Sequence, residues 1–191
     1  MTRAVALLVV IAAAPGVEAP KPLSRAPGAL PEQPRGKCVL DEAHSVDPAS
    51  FATLERLCEE LDHSGAGQLE VAVVADLRGM SADEFATALF DKWRIGHQSA
   101  DDGLLVVRHA GAPGARHLVV RTGFGLQEAL PDNDVGALMD ATFLPHIDEG
   151  DGPALVALVK ALAPLVEKAG KTARVRSGDA SRAARAGRQK R

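Results

Sequence analysis

Two stretches of this chain combine residue types that do chemistry with a spacing that gathers them. Trp93–Gly103 reads W-R-I-G-H-Q-S-A-D-D-G, and Arg121–Asp132 reads R-T-G-F-G-L-Q-E-A-L-P-D. Each breaks an apolar run with glycine and then supplies carboxylates, as loops at strand ends do. Asp41, Asp101, Asp102 and Asp132, with the amide of Gln127, are hard oxygen donors, and calcium and other divalent cations are held by several such oxygens together. Asp134 and Glu128 lie close by in sequence. Gly103, Gly123 and Gly125 have the backbone freedom to turn carbonyls toward the same point. A plainer reading of Asp101 and Asp132 is that they close turns and cap helices.

Arg94 and Arg121 flank the two stretches. They are the candidates for holding a phosphate or carboxylate of a substrate, or else for pairing with the neighbouring acids. None of the six histidines falls into H-E-x-x-H or another zinc-ligand spacing. His97 is set apart from the rest by its place in the acidic loop.

Several familiar sites are excluded. Asp132-Asn133-Asp134 opens like an EF-hand loop, but Ala137 and Phe143 stand where that loop needs Gly and Glu. Gly123-Phe124-Gly125 lacks the third glycine of a dinucleotide fingerprint. There is no G-x-x-x-x-G-K phosphate loop and no G-x-S-x-G nucleophile elbow.

The elements that must position these residues follow from periodicity and punctuation. Asp47-Pro48 starts a helix carrying Phe51, Leu54, Leu57, Cys58 and Leu61, which stops at His63–Gly67. Leu69–Ala75 reads as a buried strand. Ser81 with Glu84 forms a capping box for a second helix, with Phe85, Leu89, Phe90 and Trp93 on its core face. Leu104–Val107 and His117–Arg121 are strands of a hairpin turned at Gly111–Gly114. A third helix begins at Pro131–Asp134 and runs to about Leu144. A fourth, Pro153–Glu167, is amphipathic. A short strand at Val39–Asp41 opens the series. Helices interleaved with strands predict a three-layer α/β/α sandwich around a mixed, mostly parallel sheet of about four strands.

The bulk numbers fit one such domain with flanking segments. The chain has 191 residues, 46% hydrophobic but only 3% aromatic, so its core must be aliphatic. Charge is unevenly spread. Five Lys/Arg against two Glu leave residues 1–37 at +3, and eight against Asp179 leave 171–191 at +7, so the middle carries −13 of a net −3. An acidic body argues against a grip on nucleic acid, which needs a basic face. Residues 1–19, with Arg3 ahead of Ala4–Ala14, have the proportions of an export signal. Residues 20–37 are a proline-rich linker, 38–170 the domain, and 171–191 a basic tail expected to be disordered or only transiently helical. No later run is long and apolar enough to span a bilayer. The tail is also suited to an anionic membrane surface. Cys38 and Cys58 are an even pair, open to a disulfide or to two buried thiols.

Val39-Leu40-Asp41, Phe90–Gly96, Asp101-Asp102-Gly103-Leu104, Gly123–Asp132 and Phe143–Asp151 occur in an order that resembles the TPM domain family. That family includes a thylakoid lumen acid phosphatase, a photosystem II repair factor and many bacterial envelope proteins. Gln127 departs from the family's usual Glu, and Ala100 from a frequent Lys. The resemblance implies the α/β/α sandwich and links to calcium and to phosphatase activity. The expected role is an exported, periplasmic or extracellular binding module, soluble or peripheral to the membrane, serving assembly or quality control of envelope or membrane proteins. The alternative is a metal-assisted acid phosphatase.

Overall fold

The computed structural model describes residues 28–110 and 117–189, with backbone alone from 179 onward. The expected export signal and the Gly111–Gly114 turn lie outside the described residues. The strands are β1 (Val39–Asp41), β2 (Gln68–Val74), β3 (Gly103–His109) and β4 (Leu118–Thr122). The helices are α1 (Pro48–Ser64), α2 (Ala82–Trp93), α3 (Asp132–Thr142) and α4 (Asp151–Gln189), with a 3-10 turn at Leu144–Glu149.

The sheet runs β1-β2-β3-β4. β1, β2 and β3 are parallel, and β3 pairs antiparallel with β4. Alternation along the strands divides the core in two. Val71, Val73, Leu104 and Val106 face α1, α3 and α4, while Ala72, Val74, Leu105 and Val107 face α2. The two-sided burial explains why β2 and β3 are almost unbroken apolar runs.

The helix starts are built as their sequences suggest. The Asp47 carboxylate accepts from the Ala49 and Ser50 N–H groups, and Gly65 at φ 63° ends α1. Ser81 and Glu84 make a reciprocal capping box on α2. Trp93 is buried, and its indole N–H donates to the Pro31 carbonyl at 3.0 Å. Leu30 packs on the same α2-side core, so the folded body reaches back into the second half of the proline-rich segment. An extended proline-rich strand has unused carbonyls, and α2 uses them: Lys92 donates to the Leu30 carbonyl.

The expected end of the last helix is corrected. α4 does not stop at Glu167 but continues through Gly170 and on to Gln189. Gly170 is not a stop signal: a Cβ there would lie 1.5 Å from the Ala66 carbonyl oxygen, so glycine lets the helix pass the loop before β2. Beyond it, Ala173 is buried and Arg174 and Arg176 reach back to the body. The basic segment from 171 to 178 is thus part of the packed structure rather than a disordered tail. No described helix is long and apolar enough to cross a membrane.

Candidate functional site

Strand register separates the acids expected to converge. Asp41 pairs with Val73 at one end of β2, and Gly103 pairs with Gln68 at the other. Five residues of strand span about 16 Å, so Asp41 and Asp101–Asp102 sit at opposite rims of the sheet. At its own rim Asp41 accepts from the Ser45 and Val46 N–H groups and closes a turn. Asp132 is exposed in the first turn of α3, in a groove that also includes Arg121 on the outer side of β4. Arg94 is exposed in the left-handed conformation at the end of α2, away from any described cavity. Among the described residues no three His, Cys, Asp or Glu side chains could share a metal ion.

Asp101 and Asp102 are neighbours with opposite tasks. Asp101, at φ 51°, accepts the Phe124 N–H on its side chain and the Gly125 N–H on its carbonyl. It thereby locks the G-F-G loop onto the start of β3. The glycines allow that approach: a Cβ on Gly123 would sit 2.4 Å from the Asp101 carbonyl oxygen, and one on Gly125 2.0 Å from that of Ala100. The Gly103 carbonyl accepts from the Gly123 N–H, and the Gly123 carbonyl from the Leu126 N–H.

Asp102 turns inward and is fully buried. Its Oδ1 accepts from the His97 backbone N–H and stands 2.9 Å from His97 Nδ1, and its Oδ2 accepts from Arg174 Nε at 3.0 Å. Burial alone would raise this carboxyl. The His97 and Arg174 hydrogen bonds outweigh it and hold Asp102 below its ordinary value. With Nδ1 directed at a carboxylate, His97 presents Nε2 outward, since the side chain is 41% exposed. Arg174 keeps one buried guanidinium nitrogen, Nη2, with no hydrogen-bond partner among the described residues.

These groups open onto a continuous rim. His97, Ser99, Arg174 and Ser177 line a cavity of about 370 Å³. Ser99 and Ser177 also line a second, of about 470 Å³, with Phe124, Gln127, Glu128 and Arg176. Glu128 is ion-paired to Arg176. Phe124 is 79% exposed on its pinned loop. Of the expected site residues, the structure brings Asp101, Asp102 and Gln127 to this rim, together with His97, and leaves Asp41, Asp132, Arg94 and Arg121 elsewhere.

Sequence reasoning passed over Arg174 and Arg176, which lie in the segment read as a tail. It also passed over a largely buried pair at the other rim, Arg108 Nε to Asp151 Oδ1 at 2.8 Å. Two buried glutamates were missed as well. Glu55 of α1 accepts from the N–H groups of Cys38 and Val39 and so caps the start of β1. Glu70 is an acid in an otherwise apolar strand, and that anomaly was the available signal.

The architecture is that of an α/β/α domain whose mixed sheet carries a glycine-locked loop rim where β3 begins and β4 ends. The chain belongs to the TPM domain family, whose model matches residues 39–165. A similar solved structure is the N-terminal domain of a P. gingivalis protein, determined by NMR in solution. It superposes with a TM-score of 0.61 at 22% identity, over 71% of this chain and 85% of that one, a likeness of fold. No curated protein sequence matches the chain.

Proposed function

We propose that this chain is a binding module of the cell envelope whose working surface is the His97–Phe124–Arg174 rim. The observation that carries the reading is Phe124. A large aromatic stands in water on a loop that Asp101 holds at two points, beside a groove that can seat a side chain or short segment. Rigid aromatic anchors next to pockets are where binding energy concentrates. The part-exposed side chains of His97 and Arg174 suit an acidic group on the partner. Export, and service in assembly or quality control, are the setting that best suits such a surface.

The test is a library of acidic and aromatic peptides passed over the immobilised full chain. Retained peptides should be lost with Phe124→Ser, while the melting temperature stays within a degree or so of the parent because the side chain is already in water. Retention unchanged by Phe124→Ser would refute the assignment.

A second reading uses the same rim. Asp102 on Nδ1 leaves His97 Nε2 able to take a proton from water or a hydroxyl, and Arg174 beside it suits a phosphoryl oxygen. Turnover of p-nitrophenyl phosphate that disappears in both His97→Gln and Arg174→Met would select this acid phosphatase reading. A calcium titration followed by melting temperature tests the divalent cation expected from the sequence, and a saturable rise would add the ion to either reading. Arg174 and Arg176 bond within the domain, so a contact with anionic membrane would rest on the basic residues from Arg182 onward. Vesicle binding before and after removal of residues 182–191 measures it.

A further inference from the structure

We propose that the cavity between the N-terminal segment and α1 is a separate binding site, for a primary ammonium held by the free oxygen of Glu70. The cavity has a volume of about 490 Å³ and lies at the open edge of β2, next to the start of β1. Glu70 lines it and is 3% exposed. The amides of Gln33 and Gln68 both donate to Oε1, at 3.1 and 2.9 Å. Oε2 is buried and has no partner among the described residues.

Neither protonation state resolves this among the described residues. An ionised carboxylate needs donors on both oxygens, and a neutral one needs an acceptor for its O–H. Oε2 has neither. A ligand that brings an N–H donor removes the deficit, and a positive one also offsets the nearby charges of Glu55 and Asp62. Only one oxygen lacks a donor, so the two-pronged guanidinium fork has no matching edge, whereas an ammonium binds as a point donor. Lys37, which also lines the cavity, places its Nζ 5.2 Å from the centre of the Phe51 ring. The cavity falls in the size range of small-molecule sites.

The probe is methylammonium, with tetramethylammonium at equal ionic strength as a cation of the same charge without N–H groups. At pH 8, methylammonium should shift the side-chain amide resonances of Gln33 and Gln68 saturably, and tetramethylammonium should not. The response should vanish in Glu70→Gln, whose remaining spectrum reports that the fold is kept. A second readout needs no variant: the Glu70 titration midpoint, about 7 without ligand, should fall by about one unit at tenfold excess over the dissociation constant. No saturable shift, an equal response to tetramethylammonium, or an unmoved midpoint would each overturn the site and leave water as the occupant.

Discussion

Asp102 and Glu70 are carboxyl groups removed from water on adjoining parts of the sheet, yet the fold treats them oppositely. Asp102 receives donors on both oxygens, from two elements, one of them a guanidinium. Glu70 receives two donors on one oxygen and none on the other. Asp102 consequently sits below its ordinary value, while burial pushes Glu70 from 4.5 to about 7 despite both glutamine amides. Burial raises both carboxyls, and the sign depends on whether the hydrogen bonds and charges around each outweigh it: His97 and Arg174 do so for Asp102, the two amides do not for Glu70.

Asp102→Ala is the sharpest way to break the comparison. It removes the acceptor for His97 and Arg174 together and frees the loop that leads into β3. The expected loss is about 4 kcal/mol in urea unfolding. A loss below about 1 kcal/mol would mean the three contacts hold nothing together.

Glu70→Gln comes next and is read through pH. For Glu70 the folded value lies above the unfolded one. Its contribution is therefore most favourable below pH 4.5 and is lost as pH rises toward 7, where the unfolded chain ionises first. A shift of that size corresponds to about 3 kcal/mol at most. The stability difference between parent and Glu70→Gln should move by roughly that amount between pH 4 and 8, in favour of the variant at high pH. Asp102 works the other way: its folded value is depressed, so its stabilisation is present above 3.8 and fades only as pH falls through the lower folded value. Parallel curves for parent and Glu70→Gln across that window would erase the distinction between the two carboxyls.

The sequence made the architecture readable because its signals are local. Asp47-Pro48, the Ser81–Glu84 box and the apolar runs of β2 and β3 each act within a few residues, and each appears within a residue or two of where it was expected. The site was readable only in part. The W-x-I-G…D-D-G and G-F-G stretches do meet, because β3 and β4 are hairpin neighbours. Asp41 does not join them, because parallel register sends the end of β1 to the far rim, and composition carries no register. Gly170 and the basic run after it looked like an end. The close approach to Ala66 that makes glycine necessary there depends on how α4 crosses the loop before β2, which no local pattern states. Charge asymmetry held an unread clue: an acidic body beside a basic segment can be satisfied inside one chain, as Arg174–Asp102 and Arg176–Glu128 are.

Arg174→Met carries the smallest expected effect and tests the most specific part of the comparison. Methionine keeps an apolar stem against the body and removes only the charge and its donors. The Arg174 side chain is 37% exposed, so water can replace part of what is lost on the arginine side. Asp102 is fully enclosed, and its Oδ2 would then resemble the orphaned oxygen of Glu70. The cost should be about 1 kcal/mol near neutral pH, with the Asp102 midpoint moving upward. If instead that midpoint stays depressed in Arg174→Met, the His97 contacts alone govern Asp102, and α4 beyond Gly170 is an ornament on the rim rather than its wall.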